Sequence, residues 1–382
     1  MKKALNLLVI IVICVLSLSS CGLITGGRDV IDVDFSQYSQ GLEYSWLPGG
    51  NAAVKGIGSC TDTDIKIPPF TRDGWKVIII SKSAFEGNTD ITSVTIPNSV
   101  GSIMDNAFFG CTSLKTVKME KGIQSIGQFA FSNCTSLVDV TVPSDTLVVG
   151  PSVFSNCTSL VSATLSENIT LIGTGMFAGC TSLTDVHLSN TMTRIPSNMF
   201  EGCVSLVTLN VPDSVESIGI MSFYQCTNLK NVNFGKDSRL ATISQYAFME
   251  CTGLEELYLP ASLTKIEESA FITADNIKRI IFAENSQLSV VGEDAFGGFT
   301  RELVYVKGSQ WTDAFITLVL LEKLYYTGTY EEWQTENIPP ALQKVIGRCQ
   351  LYFYSAEVST DPRTWYYDNG EPTLWINPAE NE

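Results

Sequence analysis

Along most of this chain the apolar positions return at a fixed interval. Phenylalanines stand at Phe85, Phe108, Phe131, Phe154, Phe177, Phe200, Phe223, Phe248, Phe271 and Phe296, spaced 23 residues apart in seven of nine intervals and 25 in the other two. Counted from the Phe, a cysteine stands three residues on in seven of the ten units, leucine or isoleucine at six in nine, and apolar residues are usual at nine and eleven. Proline is frequent at twelve, and an apolar residue returns at eighteen. The unit that begins at Phe108 continues through Cys111, Leu114, Val117, Met119, Ile123, Ile126, Gly127 and Ala130. The alternation at its Val-x-Met step predicts a short strand with one face buried. Pro97, Pro143, Pro212 and Pro260 end that strand in their units, because proline cannot donate to a ladder. Two residues after the Phe stand Gly87, Gly110, Asn133, Asn156, Gly179 and Gly202, residue types that tolerate positive φ, so a tight turn is expected there. Gln225, Glu250 and Thr273 break that pattern and predict a looser turn toward the C-terminal end.

One 23-residue unit holds too few apolar side chains to offset the entropy of ordering it, so neighbouring units must cover one another. The expected architecture is a solenoid, α/β or mainly β, with a parallel sheet of about ten coils that grows along one axis. Residues 85–299 form this array, and an open coil at each end needs a cover. Residues 41–84 are placed to supply the N-terminal cap and first coil, and residues 300–382 the C-terminal cap. Within the latter, Thr329-x-x-Glu332 before Trp333 reads as a capping box opening a short helix. Asp368-Asn369-Gly370 reads as a hairpin turn. Trp365, Tyr366, Tyr367 and Trp375 are expected to pack in this cap, with a carbohydrate-stacking platform as the alternative.

The N-terminus changes the cellular setting. Lys2-Lys3, an apolar run from Ala4 to Leu18, and Ser19-Ser20-Cys21 are the parts of a secretory signal over residues 1–20. Leu18-Ser19-Ser20-Cys21-Gly22 resembles the lipobox of bacterial lipoproteins. The resemblance implies cleavage before Cys21, acylation of its thiol, and a lipidated tether over residues 21–40; an uncleaved signal anchor or a soluble secreted product are the alternatives. Loss of the two signal lysines takes the formal charge from −16 to −18 (−16 − 2). So acidic a chain is a poor partner for nucleic acid or an anionic membrane face, and the membrane would be met only through the lipid.

The repeat itself resembles the BspA-like leucine-rich repeats of bacterial surface proteins, whose unit has the form aFxgCxsLxxvxlPxxvxxIgxx. The lead-in Gly56–Pro68 and the exit segments Tyr325–Trp333 and Trp365–Trp375 are also similar to sequences that flank such arrays. The resemblance implies a right-handed leucine-rich-repeat solenoid, exposed on the bacterial surface, that attaches to a protein or glycan on host or neighbouring cells.

Eleven cysteines in an exported chain ordinarily suggest disulfides. Here Cys111, Cys134, Cys157, Cys180, Cys203, Cys226 and Cys251 share one register of successive coils, where side chains run parallel rather than converging. Free buried thiols are expected, and neither a metal site nor a cofactor. Cys60 and Cys349 fall outside the register. The single histidine, His187, lies at an outward strand position whose counterparts are Thr141, Thr164 and Asn210, so no catalytic arrangement is expected around it. The densest carboxylates, Glu255, Glu256, Glu267 and Glu268, read as solvated surface. Two outward columns remain, one through Asp185 and Glu256 to Arg279, the other through His187 and Tyr258 to Ile281. Asp185, His187, Tyr258, Arg279 and Ile281 are the candidate ligand residues of a non-catalytic binding protein. A structural envelope protein, or a wall or glycan hydrolase with its site in residues 300–382, are the alternatives.

Overall fold

The computed structural model describes residues 33–296, 301–311, 321–336, 343, 346–368 and 371–374. The signal, Cys21 and most of the tether lie outside them, as do Asn369, Gly370 and Trp375.

Each coil contributes two strands and a turn segment. The alternating stretch forms a long strand, as at Thr116–Met119, and the apolar residue at eighteen falls in a two-residue strand, as at Ser125–Ile126. Long strands pair in parallel with long strands and short with short, residue for residue at the repeat spacing, as in Val94↔Val117 and Ile103↔Ile126. The result is a parallel-sheet solenoid of about 12 turns, rather than ten, because stacking continues past the last phenylalanine. Glu302–Tyr305, Lys323–Tyr326 and Gln350–Tyr354 carry the long-strand ladder on into residues 300–382, the region expected to supply the C-terminal cap.

The third side holds the phenylalanines. All ten are at most 2% exposed, and successive rings stack at 4.9–5.9 Å between centroids. The backbone around them alternates. Ser83, Phe85 and Gly87 donate to the carbonyls of Asp105, Ala107 and Phe109 in the next coil, while Ala84, Glu86 and Asn88 donate three residues back, to Ser81, Ser83 and Phe85. This alternation places a left-handed residue on either side of each Phe from Phe85 to Phe271. The turn two residues after Phe does not loosen: Gln225, Glu250 and Thr273 hold φ of 60°, 60° and 58°, beside 60° and 57° at Asn133 and Asn156. The inter-coil bonds impose the geometry whatever the side chain. A second left-handed position, two before Phe, escapes the composition because Phe129, Met221 and Tyr246 occupy it as readily as Asn106.

The seven in-register cysteines are free and buried. Each thiol donates to the carbonyl of the phenylalanine one coil back, from Cys111 on Phe85 to Cys251 on Phe223, at 3.0–3.2 Å. Burial pushes Cys111 and Cys157 up to about 12 and holds Cys134, Cys180, Cys203 and Cys226 well above the ordinary thiol range. Ala274 takes this place in a later coil with no loss of burial. Cys60 is buried and Cys349 half-buried, and both are free.

Hairpins stand at both ends of the array. Glu43–Leu47 and Asn51–Gly56 pair antiparallel, and the second joins the short-strand ladder through Lys76–Ile80. At the other end Thr364–Asp368 and Glu371–Leu374 pair antiparallel, closing on Asp368↔Glu371. The short helix Tyr330–Trp333 carries the expected capping box: Thr329 Oγ1 accepts from the Glu332 amide at 3.3 Å and the Glu332 carboxylate accepts from the Thr329 amide at 2.9 Å. Trp365 is fully buried, with its indole donating to the Tyr326 carbonyl at 2.9 Å. It serves the cap and offers no open platform.

Two of the three sides are interrupted. The long-strand ladder breaks between Asp185–His187 and Thr208–Val211, and again between Asn231–Phe234 and Glu256–Leu259. The short-strand ladder breaks once, between Leu171–Ile172 and Arg194–Ile195. Hydrogen bonds on the phenylalanine side run on across these places, with Phe177 donating to Met199 and Phe223 to Ala247.

Candidate binding face

Long-strand alternation buries Leu257 and Ile280 and turns Glu256 and Tyr258 outward. Tyr258 is 43% exposed, the largest apolar surface on the outward columns. Its hydroxyl donates to Glu256 Oε2 at 2.9 Å, and Arg279 Nη1 holds Glu256 Oε1 at 3.2 Å from the next strand. Arg279 Nε also faces Glu302 Oε2 at 3.3 Å, which Lys323 meets from the following strand at 2.9 Å. The chain of alternating charges thus crosses four adjacent strands. Such half-exposed ion pairs add little stability, and they fix the orientation of the groups they join. The Lys278 ammonium beside Glu255, bonded at 3.0 Å, holds that carboxyl below its usual range.

Beside this network the second break in the long-strand ladder opens a cleft of about 990 Å³. Asn231, Asn233, Glu255, Glu256 and Tyr258 are among its lining residues. The break falls where the phenylalanine spacing lengthens to 25 residues, between Phe223 and Phe248. No ladder pairing links Asn231–Phe234 to Glu256–Leu259, although the two strands remain neighbours.

The structure therefore joins Tyr258 and Arg279 through Glu256. Asp185 and His187 form a separate pair, 3.7 Å apart and both well exposed, three coils away across both breaks in the ladder. Ile281 departs from the expectation: it is 2% exposed. The C-terminal hairpin returns to its strand, where the Tyr367 hydroxyl donates to the adjacent Phe282 carbonyl at 2.8 Å, so Ile281 offers no surface to a ligand. In the sequence Glu256 reads only as solvated surface on an outward column, and Asn231 and Asn233 are not singled out, although the lengthened interval is a readable sign that a coil there is irregular. Among the described residues no group of three or more His, Cys, Asp and Glu is placed to hold a metal ion.

A family model described as "BspA type Leucine rich repeat region" matches residues 78–207 and 193–312, with six copies. The chain belongs to this BspA-type family. No curated protein matches it significantly. Among solved structures it is similar to a leucine rich cell surface protein from Faecalibacterium prausnitzii A2-165, 23% identical, covering 77% of this chain and 95% of that one, with a TM-score of 0.52. It is also similar to a leucine-rich repeat protein from Bacteroides ovatus ATCC 8483, 18% identical, covering 88% of this chain and all of the other, with a TM-score of 0.51. At these identities the likeness is one of fold, and it matches the BspA-type solenoid described above.

Proposed function

We propose that this BspA-type solenoid is a bacterial cell-surface binding protein, lipid-anchored through Cys21, that attaches to a protein or glycan on host or neighbouring cells and performs no catalysis. Its ligand face is the outward side of the long strands at Glu256–Leu259 and Arg279–Phe282. The observation that carries this reading is the coincidence of an exposed tyrosine, an oriented Glu–Arg network and a cleft of about 990 Å³ at one break in the ladder. Large, partly apolar groups such as Tyr258 and Arg279 are the residue types that anchor interfaces, and fixed charged neighbours supply register. The surface-protein description of the Faecalibacterium neighbour agrees with this placement.

Immobilised matrix proteins and glycans probed with the purified chain test the reading. Binding that falls about tenfold or more in Tyr258→Ala and in Glu256→Arg is expected. A ligand whose binding ignores both changes would move the site elsewhere, and no ligand on any surface or intact cell would favour a structural envelope role. Labelling with radioactive palmitate in wild type and Cys21→Ser tests the anchor separately.

A further inference from the structure

Trp365 and Tyr367 of the C-terminal hairpin are committed to packing and hydrogen bonds, yet an open aromatic pocket exists at the opposite end. Phe35, Tyr44, Trp46 and Phe70 line a recess of about 260 Å³ beside the N-terminal hairpin, with Arg72 and Asp73 also on its wall. Trp46 is 53% exposed, an unusual cost for the largest side chain in the code, and its ring leans on Trp75 with centroids 5.3 Å apart. That contact fixes the indole without covering it.

The polar groups of the recess are divided between used and unused. Gln40 is committed: its amide donates to the carbonyls of Phe35 and Tyr38 and its oxygen accepts from Arg72. Gln40 and the Phe35 ring, 5.8 Å away, thereby hold the Arg72 guanidinium over the recess. Among the described residues, the Asp73 carboxylate, the Trp46 indole N–H and the Tyr44 hydroxyl show no hydrogen-bond partner. Burial, with Cys60 alongside, pushes the Tyr44 phenol up to about 12, so this hydroxyl remains a donor at any physiological pH.

We propose that this recess is a saccharide subsite that stacks one pyranose ring of a glycan on Trp46 and hydrogen-bonds its hydroxyls with Arg72, Asp73 and Tyr44. The ring's C–H face suits an aromatic plane, and neighbouring hydroxyls need a donor and an acceptor side by side, which Arg72 and Asp73 provide. The size matches a single sugar unit and is too small for an extended peptide. A quaternary ammonium would also suit an aromatic cage, but Arg72 already places a positive charge over Phe35 and repels one. The site lies far along the array from the cleft at Tyr258, so the two can fail independently.

Titration of the full chain in detergent with cellobiose, chitobiose, mannobiose, maltose and lactose tests the proposal, read by tryptophan fluorescence and saturation-transfer NMR. At least one disaccharide is expected to bind in the millimolar range, with transfer strongest to one C–H face. Trp46→Ala should weaken it about tenfold or more and Asp73→Asn several-fold, with the circular dichroism spectrum unchanged. Tyr258→Ala should leave it intact. No saturation transfer from any of the five at 20 mM, or binding that survives Trp46→Ala, overturns the subsite. Choline chloride binding in their place would assign the recess to a cation instead.

Discussion

Raising the pH should dismantle this solenoid from its cysteine register. Folded, the seven in-register thiols stay protonated because burial disfavours the thiolate, with Cys111 and Cys157 pushed up to about 12. Unfolded, the same thiols ionise near their ordinary value of 9.0. The unfolded chain therefore binds fewer protons than the folded one above pH 9, and stability falls as pH rises. Full stability holds below about pH 8, and the loss grows until the folded thiols themselves ionise. At pH 10 a thiol that stays protonated only when folded costs about 1.4 kcal/mol, so seven of them cost on the order of 10 kcal/mol. That is comparable with the whole stability of an ordinary domain. Urea unfolding followed by circular dichroism at pH 7.5, 9 and 10 reads the effect. The midpoint should drop steeply over the last step, and a variant with all seven changed to alanine should lose most of that pH dependence. Ala274 already shows that the register accepts alanine. A wild-type midpoint that is flat to pH 10, or an alanine variant that falls just as fast, would refute the argument.

Two further outcomes follow from the phenylalanine side. Thr273 is a β-branched residue held at φ 58°, where Asn133 and Asn156 sit in equivalent turns, so Thr273→Asn should stabilise by about 1 kcal/mol in urea. An unchanged or lower midpoint would mean that the turn is not strained. Phe154 stacks on Phe131 at 5.5 Å and on Phe177 at 5.9 Å, so Phe154→Ala removes contacts with both neighbours and should cost about 3–5 kcal/mol. Hydrogen exchange should then quicken first in the coils on either side, and a uniform change along the chain would argue against nearest-neighbour stacking.

The repeat was legible because stacking turns one residue choice into a column. Phe, Cys and Leu recur at positions where every coil meets the same neighbours, and a period of 23 records that directly. The short strands and the left-handed position before Phe were harder to see. Two-residue strands carry no period of their own, and inter-coil bonds impose positive φ on Phe129 as firmly as on Asn106. Alternation placed Tyr258 and Arg279 correctly. It failed at Ile281, since a local pattern of two cannot report a hairpin that comes back from residue 367 to the strand at 279–282. The cleft depends on a missing strand pairing, a property of two coils together that neither segment carries alone.

The unbroken phenylalanine side acts as the spine of a book whose leaves are parted in places. A gap of about 480 Å³ lies beside Ile172 and Arg194 where the short-strand ladder breaks, and another of about 990 Å³ lies at Tyr258. Tension along the axis would load the spine and let the parted leaves fan apart first, so a pulled molecule should show a soft, reversible extension before any coil ruptures. The aromatic column would stay dry throughout that extension, and a grip seated between leaves could loosen or tighten with force while the fold endures.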